Sequence, residues 1–259
     1  MASRYSLGNE EALVEVPAKD YFVNRLKYQY LHGELLAPET GERESLNEVL
    51  LIKRLKKYLK LFNPELNDTS VYAAIKILSD VPGDSLLSKN EKVYDTIVNQ
   101  ASSVSQEGKN LTIKYIDFEH IDRNEFLVVR QLEIIGNRRT CFPDMIIYIN
   151  GIPVAVFECK SPFKEIGSNI RVGKKDAFDQ LQRYMDVRDE HIEEGIPRLF
   201  YTNFILGILN KYQAYAGTIS SKYEHFLEWK DPYPMNKKDM DDVVVQQIRS
   251  SINRHFILT

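Results

Sequence analysis

The sequence predicts an α/β fold in which a mixed β-sheet is flanked by helices. Three observations predict it: two continuous apolar runs around a tight-turn signal, further short strand-like runs, and apolar stripes at helical spacing before and after them. Strands that alternate with amphipathic helices are typical of layered α/β architectures. With 259 residues, 43% of them hydrophobic, the chain is long enough to bury a substantial core.

The elements follow one another along the chain. We expect an irregular, tyrosine-rich N-terminal arm over 1–40, a central domain over 41–235 and a C-terminal helix or linker over 236–259. Apolar spacing and stop signals predict helices over 46–62, 69–78, 92–100, 177–187 and 241–256. Apolar, β-branched and aromatic runs predict strands over 126–135, 145–149, 152–157, 198–202 and about 212–219.

Two acidic residues and a lysine bracket the central hairpin. Asp144 follows Pro143 immediately before the first strand, and Glu158 and Lys160 close the second strand. Carboxylate oxygens are the ligands that Mg²⁺ prefers, and residues two apart on a strand project from the same face. The arrangement therefore predicts a metal centre in which Lys160 stabilises developing negative charge. Taken alone, an ordinary Glu/Lys ion pair explains these residues equally well.

The context of the lysine separates it from similar patterns elsewhere. The chain contains three Glu-x-Lys triplets. The one at 107–109 lies in a polar stretch, and the one at 228–230 runs into an Asp-Pro turn signal. Only Glu158 ends a strongly apolar strand, where an acidic residue without a partner is rare.

The hairpin must also satisfy a condition of parity. A regular two-residue loop at Asn150 and Gly151 pairs Asp144 with Phe157, which places the aspartate on the face opposite to Glu158. An odd-length loop or a β-bulge restores a common face. We therefore predict one of these irregularities in the hairpin.

A second group of polar residues lies on the helix predicted over 177–187. Gln180 and Tyr184 are four residues apart, so both side chains lie on one helix face. An amphipathic helix with a surface glutamine and a half-buried tyrosine explains an isolated pair of this kind as well.

These residues together resemble the PD-(D/E)xK nuclease superfamily, and specifically the N-terminal region of the R (restriction) subunit of type I restriction enzymes. The likeness is carried, in family order, by short stretches at 124–126, 143–144, 150–153, 158–162, 177–184 and 199–203. It implies a restriction-endonuclease-like core that cleaves double-stranded DNA with one or two Mg²⁺ ions. By the same resemblance, Asp144 and Glu158 are metal ligands, Lys160 is the catalytic lysine, and Gln180 and Tyr184 assist.

Members of the family also carry an acidic residue on an earlier helix that approaches the metal. Glu48 is our candidate, because it shares the apolar stripe of the helix predicted over 46–62. The stretch 45–48 equally matches a capping box, in which Glu48 only satisfies a backbone N–H.

DNA contacts must come from local basic patches. The chain has 34 basic and 37 acidic residues, a net charge of −3, so it is not a general polyanion binder. Candidate DNA-binding residues flanking the proposed centre are Arg138, Arg139, Lys174, Lys175 and Arg183. A basic run over 53–60 is better explained as the solvated face of a helix.

The resemblance has implications for partners and location. R subunits of the family continue into an ATP-driven translocase and act with methyltransferase and specificity subunits. The nearest approach to a phosphate loop here, 167–175, has the wrong glycine spacing, so ATP is expected only in the motor of a parent protein. Two cysteines make no disulfide framework, and neither a signal peptide nor an apolar run of membrane length is evident, so we expect an intracellular, soluble protein. The resemblance implies the cytoplasm of a prokaryote. A stand-alone repair or junction nuclease, and a catalytically silent module of the same fold, are the alternative functions.

Overall fold

The computed structural model describes residues 10–161, 170–187 and 193–228. The α-helices in these ranges are α1 (Val16–Asn24), α2 (Ile52–Phe62), α3 (Asp68–Ser79), α4 (Leu86–Ile97) and α5 (Ile170–Tyr184). The strands are β1 (Gln29–His32), β2 (Ser103–Gln106), β3 (Lys109–Thr112), β4 (Phe126–Arg130), β5 (Ile134–Ile135), β6 (Thr140–Cys141), β7 (Met145–Ile149), β8 (Ile152–Cys159), β9 (Ile205–Leu209), β10 (Ala214–Gly217) and β11 (Leu227–Glu228). A π-helical turn, Glu11–Glu15, runs directly into α1.

Seven strands form one mixed sheet in the order β1-β4-β7-β8-β9-β10-β11. The pairs β1/β4 and β8/β9 are parallel, and the other pairs in this sheet are antiparallel. The carboxyl ends of β1, β4, β8 and β9 therefore lie at one edge, together with the first residue of β7. We call this edge, with its strand termini at 32, 130, 145, 159 and 209, the site edge. The predicted mixed sheet flanked by helices is confirmed, and the fold is restriction-endonuclease-like.

The core lies where the central strands meet the helices. Every residue of β4, β7 and β8 is buried, as expected for strands covered on both faces. Helix α1 packs on β1 and β4, and its Phe22 contacts the rings of Tyr28 and Phe157. Helix α5 covers β8 and β9. Burying each large apolar side chain contributes about 1.5–3 kcal/mol to stability, so these contacts hold the sheet and helices together.

The irregularity predicted in the central hairpin is present as a β-bulge. Ile149 pairs with Ile152 and Tyr148 with Pro153, but Ile147 then pairs with Ala155, so the register shifts between Ile147 and Tyr148. The loop itself keeps two residues, Asn150 and Gly151, both with positive φ. The extra residue therefore lies in the strand and not in the turn.

Polar side chains hold this turn in place. The Asn150 side chain accepts the Glu125 N–H and donates to the Tyr115 carbonyl and the Asn124 side chain at 2.8–3.0 Å. The hydrogen bond from Leu51 N–H to the Gly151 carbonyl, at 2.9 Å, joins the turn to the start of α2. The turn is thus fixed at both residues, and the extra residue lies in β8, between Pro153 and Ala155.

The prediction of an irregular N-terminal arm is wrong for residues 10–36. This segment forms the π-helical turn, α1 and β1, and β1 pairs in parallel with β4 inside the sheet. The physical reason is apolar periodicity: Val14, Ala18 and Phe22 recur every four residues and are fully buried. Division of the chain at 40/41 and 235/236 stays a prediction.

Three predicted helices start at the wrong residue, and one of them, α5, spans Ile170–Tyr184 and not 177–187. Helix α2 begins at Ile52 and not at 46, because the preceding residues, 49–51, are buried in a non-helical segment whose Leu51 N–H bonds to the hairpin turn. Helix α4 spans Leu86–Ile97 and not 92–100, since Ser85 caps it by accepting the Ser88 N–H. Helix α3 agrees with the prediction within one residue at each end.

Two strand predictions also need correction. The strand expected over 126–135 is interrupted at Gln131, whose φ of 52° is incompatible with an extended strand. Residues Pro197–Phe200 form a 3₁₀ turn, and the strand beside β8 starts later, at Ile205. The predicted strand near 212–219 is confirmed as β10, and the helix predicted over 241–256 lies outside the described residues.

Candidate metal centre

The bulge brings Asp144 and Glu158 to the same side of the hairpin. Met145 pairs with Phe157, so the next position in this register sets Asp144 opposite Glu158. Asp144 is 6% exposed and Glu158 is 0% exposed. Asp144 accepts the Cys159 N–H at 2.7 Å and the Gln131 side-chain amide at 3.1 Å. Oε1 of Glu158 has no hydrogen-bond partner among the described residues.

Burial makes both carboxylates costly to ionise. Burial raises the pKa of Asp144, although Lys160 and the Cys159 N–H oppose the effect. The pKa of Glu158 lies well above its ordinary value, because of burial first and the neighbouring Asp144 carboxylate second. Two buried acids with an unpartnered oxygen between strands are a typical environment for a bound cation.

Lys160 supplies a positive charge beside these acids. Its ammonium lies 3.4 Å from Glu158 and 3.6 Å from Glu10, and it donates to the Cys159 carbonyl at 2.9 Å. Burial alone would lower the pKa of Lys160, but Glu158, Asp144 and Glu10 outweigh it and raise that pKa. The lysine is therefore held protonated. Cys159, between Glu158 and Lys160, is fully buried, as its alternation on the strand predicts.

Two further acids, which the sequence analysis missed, complete the group. Single carboxylate oxygens of Glu10, Glu15 and Asp144 all lie within 4.8 Å of one another. Glu15 is 4% exposed and belongs to the π-helical turn before α1. Glu10 accepts the Ser161 N–H at 3.0 Å. We call Glu10, Glu15, Asp144 and Glu158 the acid cluster.

A sequence signal for these acids was available. Glu10 and Glu15 flank Val14 at the start of the buried stripe that continues through Ala18 and Phe22. Recognition of that stripe as a helix would have placed acidic residues at its N-terminal end. Pro17 obscured the pattern, although proline in the first turn of an α-helix is compatible with it.

Glu48, the helix acid proposed from sequence, is placed elsewhere. It precedes α2, and its carboxylate accepts the Glu44 N–H at 2.8 Å. It therefore neither shares the helical stripe of α2 nor caps that helix. None of its described contacts is with Asp144 or Glu158, whereas Glu15, in the π-helical turn before α1, lies close to Asp144.

Gln180 and Tyr184 lie beside the acid cluster. The Gln180 amide donates to the Tyr184 hydroxyl at 2.8 Å, and that hydroxyl donates to the Phe142 carbonyl at 3.2 Å. Burial raises the pKa of Tyr184, and the Glu158 carboxylate raises it further. The pair thus connects α5 to the segment that leads into Asp144.

The candidate DNA-binding residues differ in their exposure and in the partners that their charged groups already have. Arg138 and Arg139 are exposed at the tip of the β5–β6 hairpin, where Arg139 lies 3.5 Å from Glu194. The Lys174 ammonium donates to the Phe226 carbonyl, lies over two tyrosine rings, and has a pKa lowered by burial. Lys175 pairs with Asp179, and the Arg183 guanidinium lies near the Tyr184 ring.

A second group of possible metal ligands contains none of the residues of the acid cluster. Asp117, Glu119 and His120 also place ligand atoms within 4.8 Å of one another. The buried Asp117 carboxylate already lies 3.1 Å from Arg123 and 3.6 Å from Lys114. Its charge is thus balanced by side chains, and we assign no metal there.

Fold and site together define a restriction-endonuclease-like α/β protein with carboxylates and a lysine grouped at one sheet edge. The chain belongs to the family described as type I restriction enzyme R protein N terminus, whose sequence profile matches residues 8–225.

Individual proteins that are similar to this chain are also named as type I restriction enzyme subunits. The putative type I restriction enzyme MjaIXP endonuclease subunit of Methanocaldococcus jannaschii is 32% identical over 228 residues, which are 86% of this chain and 20% of that protein. The type I restriction enzyme HindI endonuclease subunit of Haemophilus influenzae is 29% identical over 220 residues, 82% of this chain and 19% of that protein. The chain thus spans about a fifth of the length of these relatives. Within the described ranges, no helix has the length and apolar character needed to cross a membrane.

Proposed function

We propose that this chain is a Mg²⁺-dependent DNA endonuclease domain of a type I restriction R subunit, which hydrolyses phosphodiester bonds. The observation that carries the proposal is the convergence of Asp144, Glu158 and Lys160 at the site edge, with one oxygen of Glu158 buried and unpartnered. Family membership supports the nuclease role, since the relatives are named as endonuclease subunits.

The donor set fits a hard divalent cation. Asp144 and Glu158 offer carboxylate oxygens, and Glu15 and Glu10 lie close enough to Asp144 to add others. Mg²⁺ favours oxygen ligands, and its charge would offset the burial and the repulsion from Asp144 that together raise the pKa of Glu158. When bound, such an ion lowers the pKa of a coordinated water and neutralises charge on the phosphate.

The protein's own groups have separate tasks in this proposal. Hydrogen bonds from Cys159 and Gln131 orient Asp144, so its remaining lone pairs face the cluster. The Lys160 ammonium lies 3.4 Å from Glu158 and would stabilise negative charge that develops on the phosphate oxygens. Tyr184, fixed by Gln180, holds the chain just ahead of Asp144 through the Phe142 carbonyl.

The remaining parts of the proposal concern a longer protein. Because the chain spans about a fifth of its relatives, we propose that the full subunit adds an ATP-driven motor and acts with methyltransferase and specificity subunits on double-stranded DNA. ATP would bind only in that motor, and the complex would act in the cytoplasm. Arg138 and Arg139, both exposed on the β5–β6 hairpin, are the cations that we propose for a DNA contact.

Substitutions in the centre test the proposal. Asp144→Asn keeps the size of the side chain but removes its charge and leaves one oxygen to accept hydrogen bonds, where Asp144 accepts from Cys159 and Gln131 with two. Lys160→Ala removes the ammonium. We expect each to reduce Mg²⁺-dependent nicking of supercoiled plasmid by about 100- to 1,000-fold, since such electrostatic groups are typically worth that much. Asp144→Asn should also weaken Mn²⁺ binding, measured from the electron paramagnetic resonance signal of free Mn²⁺.

A matched control comes from the surface. Glu107 and Lys109 form the same Glu-x-Lys triplet in the exposed β2–β3 turn. Glu107→Gln and Lys109→Ala should leave nicking and Mn²⁺ binding unchanged. Unaltered nicking by Asp144→Asn or Lys160→Ala would show that the roles are wrong, and an unchanged chain that binds no Mn²⁺ would favour a silent module.

A further inference from the structure

Gln131 lies where β4 reaches the site edge. Its φ of 52° is in the left-handed region, which long side chains seldom adopt. This conformation ends β4. The Gln131 side chain therefore does not follow the alternating up-and-down pattern of the side chains in that strand. Residues held in such conformations persist when the surrounding structure fixes them.

The backbone of Gln131 is fixed from two sides. Its N–H donates to the Asp144 carbonyl at 3.2 Å, which ties it to the start of β7. On the other side, Gly33 at the end of β1 approaches so closely that a Cβ there would lie 2.2 Å from the Gln131 carbonyl oxygen. The side chain therefore starts from a constrained position.

That side chain bridges two members of the acid cluster. The Gln131 amide nitrogen lies 3.1 Å from Asp144 Oδ1 and 3.1 Å from Glu15 Oε2, and donates to both. A primary amide has two N–H donors and no charge, so it joins two carboxylates without neutralising them. Arg130, the preceding residue, also binds Glu15, but as a cation.

We propose that Gln131 is a positioning residue for the divalent cation. By holding Glu15 of the π-helical turn against Asp144 of the hairpin, it sets the separation of oxygen ligands that come from distant parts of the chain. Because the amide is neutral, it leaves their negative charge available to the ion. This inference rests on the proposed metal-dependent function.

Two substitutions distinguish the effect of the side-chain hydrogen bonds of Gln131 from the effect of its strained backbone. Gln131→Met keeps the length of the side chain but removes both donors. Gln131→Gly removes the side chain and favours the positive φ. For each variant we expect the dissociation constant for Mn²⁺ to rise about 10- to 100-fold, the usual effect of removing a partner that orients a metal ligand. Gln131→Gly should unfold at a temperature no lower than Gln131→Met, because both variants lose the two hydrogen bonds but glycine tolerates the positive φ.

Two further measurements distinguish positioning from a general structural effect. The Mg²⁺ concentration for half-maximal nicking should rise in Gln131→Met, with a much smaller fall in the rate at saturating Mg²⁺. In a Glu15→Gln background, Gln131→Met should change Mn²⁺ affinity less than about threefold, because one end of the bridge has lost its charge. Gln100→Gly, at an exposed residue with φ of 51°, is the matched control and should not alter Mn²⁺ binding.

The outcomes separate this inference from the function on which it rests. If the unchanged chain binds Mn²⁺ and both Gln131 variants bind it equally well, the positioning role is refuted while the metal centre stands. If the unchanged chain binds no Mn²⁺, both proposals fail together. Weaker binding in both variants but not in Gln100→Gly supports the role of Gln131.

Discussion

Arg130 is a buried cation whose partners belong to the acid cluster or lie beside it. It is 4% exposed, and its guanidinium lies 2.9 Å from Glu15 and 3.0 Å from Glu11. Leaving one partner of a buried ion pair alone is costly, because an uncompensated charge stays in a medium of low dielectric constant. Arg130 therefore places a positive charge directly beside the Glu15 carboxylate.

Replacement of Arg130 tests this balance. We expect Arg130→Met to lower the free energy of unfolding by about 3–5 kcal/mol, the usual cost of breaking a buried pair. Millimolar Mg²⁺ should recover part of that loss, since a bound cation supplies the missing positive charge. Urea unfolding with and without Mg²⁺ measures both effects.

Arg54 provides the control for this variant. It pairs with Glu42 and Glu125, neither of which belongs to the acid cluster. Arg54→Met should also lower the free energy of unfolding. Mg²⁺ should raise that free energy by the same amount in Arg54→Met as in the unchanged chain, and not by more. Equal Mg²⁺ recovery in the two variants would contradict the assignment of Glu15 to the cation site.

Of the elements, the central hairpin is the one whose structure could be predicted most completely from its sequence. Its strands, its turn and the need for an irregularity all followed from apolar runs, Asn-Gly and the parity of Asp144 and Glu158. The position of the bulge did not follow, since an extra residue in either strand satisfies the parity, and neither did the contacts of Asn150 with Asn124, Glu125 and Tyr115. Residues that pair over such separations leave no local signal.

Asn150 is therefore expected to carry much of the stability of this turn. Asn150→Gly tolerates the positive φ but loses three side-chain hydrogen bonds, and should lower the free energy of unfolding by about 2–4 kcal/mol, at roughly 1 kcal/mol for each bond. Urea unfolding provides the measurement. Glu107→Gly, at the matching position of the exposed β2–β3 turn, should be neutral or slightly stabilising, as φ there is 51°. A similar loss in both variants would mean that the side-chain bonds of Asn150 contribute little.

At the scale of the whole molecule, the site is an edge at which several chain segments meet. Asp144, Glu158 and Lys160 come from one hairpin, and sequence alone could predict them. Glu15 reaches the same edge only because β1 pairs in parallel with β4 and draws α1 with it. Long-range parallel pairing cannot be read from local patterns, so sequence alone does not indicate that Glu15 lies near Asp144.

The balance of charge over the molecule also restricts how it can meet DNA. The net charge is −3, and the acid cluster adds local repulsion toward phosphates until a cation binds. Lys174 and Lys175 are already engaged with the Phe226 carbonyl and with Asp179. The exposed tip of the β5–β6 hairpin, with Arg138 and with Arg139 3.5 Å from Glu194, is therefore the candidate basic surface to test.

This surface predicts a specific dependence on salt. In an Asp144→Asn background, which prevents cleavage, the double change Arg138→Ala and Arg139→Ala should weaken binding to duplex DNA in the presence of Ca²⁺. Each lost phosphate contact should also reduce the slope of log K against log salt concentration by about 0.9, so loss of both contacts reduces it by nearly twice that amount. Fluorescence anisotropy at several salt concentrations measures the slope.

The control for this variant lies on α2. Lys53→Ala with Lys57→Ala removes two exposed lysines, and so the same charge, from a different surface and should leave the slope unchanged. If the α2 pair reduces the slope and the arginine pair does not, DNA binds across α2 and not beside the acid cluster.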